Sequence, residues 1–116
     1  MDSTITVIIP CYPTFDFLFR SLNSLSNQSF ENFDVVIVLD GIEDTEEKEK
    51  ELKEKFSNIP INIIKHERNR STLQARLTGT RYIKGKYTYF MDADDEISSH
   101  IYSRIVLIVS KELMLI

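Results

Sequence analysis

Glycine and cysteine are scarce in this sequence of 116 residues, which contains three glycines and one cysteine. A dinucleotide-binding turn needs glycines spaced as Gly-x-Gly-x-x-Gly, and the glycines at positions 41, 79 and 85 do not provide that pattern. The single cysteine, Cys11, excludes an internal disulfide framework, is typical of a reducing compartment and is expected to pack as a small residue. One cysteine and two histidines are too few for a zinc site, so we expect His66 and His100 to be surface or cap residues.

The sequence also lacks an excess of basic residues and any long apolar run. Its 14 Lys and Arg residues are outnumbered by 18 Asp and Glu residues, which argues against a general nucleic-acid-binding protein. The apolar runs at residues 5–9 and 105–109 are far shorter than the roughly 20 residues that cross a membrane, and no basic signal-peptide region precedes the first. We therefore predict a cytoplasmic protein without a membrane span, folded as one domain over residues 1–116.

Four apolar or β-branched runs predict strands, and three stretches between them predict helices. The predicted strands are residues 5–9, 33–39, 61–64 and 87–91, and the predicted helices are residues 16–28, 44–56 and 72–84. Continuous apolar runs are typical of strands that are buried on both faces of a parallel sheet. The alternation therefore predicts an α/β fold, with a doubly wound, mostly parallel sheet, right-handed crossovers and helices on both faces.

Apolar spacing within the helices predicts the residues that each one buries. In the first helix these are Phe17, Leu18, Leu22 and Leu25, and in the third they are Leu73, Ala75, Leu77 and Ile83. The middle helix is mostly charged, so we expect it to be solvated and held to the sheet by Leu52 and Phe56.

An acidic run, Asp92-Ala93-Asp94-Asp95-Glu96, directly follows the last predicted strand. Closely spaced carboxylates repel one another unless solvent, protonation or a cation compensates, and oxygen ligands suit hard divalent ions such as Mg²⁺ or Mn²⁺. An EF-hand loop would continue as Asp-x-Asp-x-Asp-Gly, whereas Glu96 and Ile97 follow here. The run therefore predicts metal-assisted phosphate chemistry.

Ionisable residues also follow two of the other predicted strands. Asp40-Gly41 follows the second strand, residues 65–68 follow the third, and Pro10-Cys11 follows the first. A phosphoacceptor receiver domain would carry acids after the first strand, so that class is disfavoured. Asp-Gly alone is typical of a turn, but ligands of α/β sheets bind beyond the carboxyl ends of the strands. We therefore predict a polar ligand site at this edge of the sheet.

Two N-terminal segments resemble motifs of the family 2 glycosyltransferases, enzymes of the GT-A fold that use nucleotide-diphosphate sugars. Residues 6–12 are similar to the opening strand of that family and its Pro-x-Tyr-Asn turn, with Pro13 at the position of the Asn. Residues 28–41 are similar to its Gln-Ser/Thr-Phe/Tyr lead into a strand that ends in Asp-Asp-Gly-Ser. Leu39 stands at the first Asp of that motif and Asp40 at the second, the position associated with the nucleobase.

Two further segments resemble the later motifs of the family, in the same order. Residues 71–79 are similar to Gly-x-x-x-Ala-Arg-Asn-x-Gly, with Ser71 at the first Gly, Arg76 at the Arg and Leu77 at the Asn. The acidic run is similar to Asp-x-Asp-Asp after an aromatic-rich strand. Together the four segments imply a GT-A fold, in which this chain is the Rossmann-like, nucleotide-sugar-binding part.

The resemblance also implies an activity and a set of site residues. The activity is an inverting, metal-dependent transfer of a sugar from a nucleotide-diphosphate sugar to a glycan or lipid-linked acceptor in cell-surface polysaccharide synthesis. The residues implied to bind the nucleotide sugar are Pro10, Tyr12, Asp40, Arg76 and Asp92, and those implied to hold Mn²⁺ or Mg²⁺ are Asp94 and Asp95. A UDP-sugar is favoured because the Asp40 carboxylate can accept a hydrogen bond from uracil N3–H, a donor that cytosine lacks.

Members of this family are typically longer than this sequence, and their second half supplies the acceptor site and the general base. We therefore expect the catalytic base to lie beyond this chain, and the chain to be the donor-binding portion of a transferase. The apolar residues 105–116 and an exposed sheet edge favour a homodimer, and the cytoplasmic location includes the inner face of the membrane. The alternative is a non-catalytic nucleotide-binding or interaction module of the same fold, which would bind without turnover.

Overall fold

The structure, a computed structural model, describes residues 4–27 and 32–91. Within these residues, strands alternate with helices in the order β1 (Ile5–Cys11), α1 (Phe17–Ser26), β2 (Phe33–Asp40), α2 (Glu46–Lys55), β3 (Ile61–His66), α3 (Thr72–Thr80) and β4 (Tyr87–Phe90). The strands form one sheet in the order β3-β2-β1-β4, and every pairing is parallel. The predicted α/β class is therefore confirmed. No helix in the described ranges is long and apolar enough to cross a membrane.

The helices cover both faces of the sheet. Every residue of β1 and β2 is buried, as expected for central strands with helices on both sides. One face packs against Leu18, Leu22 and Leu25 of α1, Leu52 of α2, and Phe56, which directly follows α2. The other face forms a smaller cluster of Ile8, Val36 and Val38 with Ala75 of α3. The burial predicted for α1 is thus confirmed for its leucines, while Phe17 remains 40% exposed.

The strand order reverses beside β1. The chain builds outward from β1 through β2 to β3, and α3 then carries it back to β4 on the other side of β1. A right-handed crossover that runs in the opposite direction places its helix on the opposite face, which explains why α3, of the three described helices, packs on that face. In such sheets a ligand crevice forms at this reversal, beyond the carboxyl ends of the strands.

A proline lies within β1, where proline is normally disfavoured. Pro10 has no N–H to donate. Because backbone groups alternate in direction along a strand, the backbone of Pro10 faces the same neighbouring strand as that of Ile8, two residues earlier. That neighbour is β4, because the Met91 N–H donates to the Ile8 carbonyl at 3.0 Å. β4 ends at Phe90, which is opposite Ile8, so the missing N–H of Pro10 interrupts no strand pairing on that side.

The third helix buries only part of the set that apolar spacing predicts. Leu73 and Leu77 are 63% and 50% exposed, so the prediction that they pack on the sheet is wrong. The prediction is confirmed for Ala75, which is buried, and Ile83 packs partly buried against the same cluster. α3 also buries Gly79, where a Cβ atom would collide with the Ile8 side chain. These two small residues lie about one turn apart, bring α3 close to β1 and turn the leucines outward.

Candidate functional site

One pocket opens at the carboxyl ends of β1 and β2. Its cavity volume is about 660 Å³, which is within the usual range for small-molecule sites. The residues that line it are Pro10, Cys11, Tyr12, Pro13, Phe17, Asp40, Asn69, Ser71, Thr72 and Arg76. Pro10, Tyr12, Asp40 and Arg76 come from three separate sequence motifs, and the fold brings all four together in this pocket.

The remaining predicted site residues, Asp92, Asp94 and Asp95, lie outside the described residues. They follow β4 in the sequence, and the last described residue before them is Met91. The Met91 N–H donates to the carbonyl of Ile8 in β1. Over residues 4–27 and 32–91, no group of three or more His, Cys, Asp and Glu side chains could hold a metal ion. The assignment of the metal to the acidic run therefore stays a prediction from the sequence.

Asp40 is a buried carboxylate with four hydrogen-bond donors around it. Its side chain is 2% exposed. Oδ1 accepts from His66 Nδ1 at 2.8 Å and from the Arg70 N–H at 2.9 Å. Oδ2 accepts from Asn69 Nδ2 at 3.0 Å and from the Ser71 N–H at 3.1 Å. Because a carboxylate has about four lone-pair positions, these donors fix both oxygens and fasten the loop between β3 and α3 to the end of β2.

Gly41 allows that loop to approach β2. Its φ is +88°, and a Cβ atom there would collide with the backbone of Arg68 and Asn69. The same close approach lets Asn69 Nδ2 also contact the Asp40 carbonyl at 3.3 Å. The Asp-Gly pair is therefore more than a turn, because glycine provides both the positive φ and the space for the loop.

His66 lies beside Asp40, and the prediction that it is a surface or cap residue is wrong. Its side chain is 7% exposed. Nδ1 contacts Asp40 Oδ1, and Nε2 lies 2.8 Å from Thr78 Oγ1 on α3. His66 and Asp40 are partners in the parallel register of β2 and β3. The sequence offered only a general signal, namely that both residues follow predicted strands whose carboxyl ends meet at one edge of a parallel sheet.

Ser71, which lines the pocket, has an unusual backbone conformation. Its φ is +96° and its ψ is 157°, a region that is essentially restricted to glycine. This conformation explains why the resembling motif carries glycine at this position. The Ser71 hydroxyl accepts from the Gln74 N–H at 3.3 Å and so caps the first turn of α3.

Aromatic and cationic side chains are also among the residues that line the pocket, namely Tyr12, Phe17 and Arg76. Tyr12 is 56% exposed, and Phe17 carries the Arg20 guanidinium 5.8 Å from its ring centroid. The Arg76 guanidinium lies 5.9 Å from the ring centroid of Phe90. Exposed rings and a guanidinium group are suited to a ligand with a planar base and an anionic group.

Cys11 lies on the buried side of the pocket and is not a nucleophile. Its Sγ donates to the Thr14 carbonyl at 3.2 Å. Burial raises the pKa of the thiol from 9.0 to about 12, so it remains protonated at neutral pH. The expectation that Cys11 packs as a small residue agrees with its burial in the main apolar core.

Comparison with solved structures shows that this fold is shared by other proteins, among them a mannosyltransferase. The fold matches Staphylococcus aureus TarS 1–349 in complex with UDP, with a TM-score of 0.79 and 23% identity over 93% of this chain and 32% of that chain. It also matches the mannosyltransferase PcManGT from Pyrobaculum calidifontis in complex with GDP-Man and Mn²⁺, with a TM-score of 0.73 and 20% identity over 83% of this chain and 29% of that chain. The chain therefore has the GT-A fold of glycosyltransferases.

Sequence comparison identifies the family within this class. The model of glycosyl transferase family 2 matches residues 6–112. The chain is also 35% identical over 96 residues to the amylovoran biosynthesis glycosyltransferase AmsB of Erwinia amylovora, covering 82% of this chain and 32% of that protein. The chain thus belongs to glycosyl transferase family 2, and it spans about a third of the length of AmsB.

Proposed function

We propose that residues 1–116 form one donor-binding domain of a transferase that moves a sugar from a nucleotide-diphosphate sugar, with UDP favoured, to a glycan or lipid-linked acceptor. The observation that carries this proposal is the meeting of Pro10, Tyr12, Asp40 and Arg76 in one ligand-sized pocket. Their motifs, which are far apart in the sequence, had already marked these four residues as nucleotide-sugar ligands before their positions in the fold were considered. The setting we propose is surface polysaccharide synthesis, and it is supported by the similarity to AmsB, a glycosyltransferase of amylovoran biosynthesis.

The nucleobase is proposed to lie at the inner end of the pocket. Tyr12 offers an exposed ring on which a base can pack. Four donors of the chain already surround the Asp40 carboxylate, so the N3–H of a bound uracil would take the place of one of them. The UDP complex of TarS supports this choice, while the GDP-Man complex of PcManGT makes the base preference a question for experiment.

The diphosphate is proposed to lie toward α3, where Arg76 would contact its anionic oxygens. We assign Asp92 to the ribose side of the donor, and Asp94 and Asp95 to a divalent cation, Mn²⁺ or Mg²⁺. When bound, that cation would neutralise the charge that develops on the nucleoside-diphosphate leaving group. The Mn²⁺ in the PcManGT complex supports a divalent cation in this fold.

The proposal predicts that UDP together with Mn²⁺ stabilises the protein against thermal unfolding. A ligand at about 100 times its dissociation constant contributes roughly 2.7 kcal/mol to the free energy of unfolding. Thermal unfolding should be measured with Mn²⁺ alone and then with Mn²⁺ plus UDP, GDP or CDP. We expect the largest increase in Tm with UDP and a loss of that increase on removal of Mn²⁺.

Two arginine substitutions, one within α3 and one at the residue that directly follows it, provide a matched comparison. We expect Arg76→Ala to weaken UDP binding about tenfold, because it removes a charged contact to the diphosphate. Arg81→Ala, which removes an exposed arginine outside the pocket, should bind UDP like the unmodified chain. Equal Tm shifts in both variants would contradict the placement of the diphosphate.

Slow hydrolysis of a UDP-sugar would support transferase activity, and binding without any turnover would support the non-catalytic alternative.

A further inference from the structure

We propose that His66 is a positioning residue of the donor pocket, which holds the Asp40 carboxylate and connects it to the helix that carries Arg76. The inference rests on the proposed function and adds a residue that motif resemblance did not select. It concerns the relative position of the base-binding and diphosphate-binding sides of the pocket.

The imidazole of His66 uses both of its nitrogens. Nδ1 lies 2.8 Å from Asp40 Oδ1, and Nε2 lies 2.8 Å from Thr78 Oγ1. An ionised carboxylate only accepts hydrogen bonds, so Nδ1 carries a proton and donates it to Asp40. In a neutral ring Nε2 is then the acceptor, and the Thr78 hydroxyl donates to it. Contacts at both ends fix the orientation of the ring.

This chain of contacts joins three elements of the pocket. Asp40 ends β2, His66 ends β3, and Thr78 lies on α3 two residues after Arg76. The buried residues of α3 are the small Ala75 and Gly79, which allow close approach to the sheet but provide no hydrogen bond to it through their side chains. The hydrogen bonds through His66 supply a directional contact, because they require one placement of α3 relative to Asp40.

The position of the carboxylate depends on the donor at Nδ1. Without it, Oδ1 would retain the Arg70 N–H as its donor, while Oδ2 would keep Asn69 and Ser71. Loss of one donor from a buried carboxylate is costly, and the carboxylate would turn toward the remaining donors. Asn69 and Ser71, which line the pocket and donate to this carboxylate, would then shift relative to the end of β2.

Two substitutions of His66 separate positioning from general stability. His66→Asn places an amide N–H near the position of Nδ1, whereas His66→Gln places one near Nε2. Both shorten or remove the imidazole ring, so both should lower Tm. UDP affinity should be measured by calorimetry on the full chain with Mn²⁺. We expect His66→Asn to bind within about threefold of the unmodified chain and His66→Gln to bind about tenfold more weakly.

The Thr78 contact provides a second, milder test. Thr78→Val removes the hydroxyl that orients the ring, and we expect it to weaken UDP binding by about threefold to tenfold. Thr78→Ser keeps the hydroxyl and should restore the affinity of the unmodified chain. If His66→Gln does not fold, the two Thr78 variants still decide the question, because they differ only in the hydroxyl that contacts His66 Nε2 and in one methyl group.

The outcomes distinguish this inference from the proposed function. Absence of UDP binding by the unmodified chain would overturn the proposed function and this inference together. UDP binding that is unchanged in His66→Gln and Thr78→Val would overturn the inference alone. Affinities that follow Tm across the variants, with His66→Asn as weak as His66→Gln, would also overturn it, because they would indicate only a structural role.

Discussion

At the scale of single residues, Ser71 combines a useful side chain with an unfavourable backbone. Its hydroxyl caps α3 and its N–H donates to Asp40, while its φ of +96° lies in a region that side chains rarely adopt. Such a conformation costs about 1–3 kcal/mol, and the surrounding hydrogen bonds maintain it. The strain lies at the lining of the pocket, where the loop must reach Asp40.

Ser71→Gly should therefore stabilise the protein. Glycine relieves the strain, loses only a few tenths of a kcal/mol as a helix cap and adds flexibility to the unfolded chain, so the net gain should be about 1 kcal/mol. Urea unfolding would measure it. The control is Thr72→Gly at the first residue of α3, which should destabilise the protein because glycine is unfavourable in a helix. A loss of stability in Ser71→Gly would contradict the assigned strain.

The residue scale is also where sequence reasoning had its clearest failure. Pro10, Tyr12, Asp40 and Arg76 could be selected because their motifs are recognisable in one dimension. His66 could not, because its importance depends on the register between β2 and β3 and on the position of Thr78. An isolated histidine in a sequence is most simply a surface residue, and only its neighbours in the fold change that interpretation.

At the scale of elements, the strands were predictable and one helix face was not. Strand prediction succeeded because β1 and β2 are buried on both faces and so leave continuous apolar runs in the sequence. α3 misled the same reasoning because its contact with the sheet is made by Ala75 and Gly79. Apolar spacing identifies a buried helix face by its large apolar side chains, so it misses a face that is buried because its residues are small.

Gly79→Val should loosen α3 from the sheet. A side chain at this position would collide with Ile8, and overpacking of this kind typically costs about 1–3 kcal/mol. The expected loss should be visible in thermal or urea unfolding and should be accompanied by weaker UDP binding, because α3 carries Arg76. Leu77→Ala, at an exposed position of the same helix, should change stability by less than about 0.5 kcal/mol. Equal effects of the two substitutions would contradict the packing described for α3.

At the scale of the whole molecule, the order of elements determined the sheet. Alternating strands and helices predict a parallel sheet, and the right-handed crossover rule leaves few arrangements. The strand order itself, with β4 returning beside β1, is not written in any local pattern. The strand order follows from pairing between segments that are distant in the sequence. The motifs could indicate this order only because they resemble those of a family with a known fold.

Alkaline pH should destabilise the folded protein through Cys11. Burial raises the pKa of its thiol from 9.0 to about 12. Above pH 9 the unfolded chain loses this proton while the folded chain keeps it, so this contribution to stability is complete below pH 9 and declines up to about pH 12. The slope is at most about 1.4 kcal/mol per pH unit.

Comparison with Cys11→Ala isolates this contribution from other groups that titrate at high pH. Urea unfolding should be measured for both proteins between pH 8 and about pH 10. We expect the stability difference between them to narrow as the pH rises. A difference that does not change with pH would mean that the thiol titrates equally in the folded and unfolded states.

The hydrogen bonds around Asp40 also bear on the order of folding. They join residues that are 26 to 31 positions apart in the sequence, so each requires closure of the long loop that contains α2 and β3. Closing such a loop costs chain entropy before any contact offsets it. A chain that has formed only β1, α1 and β2 therefore leaves Asp40 without its partners. The capacity to bind a nucleotide should arise late in folding, and it marks the completion of the second crossover.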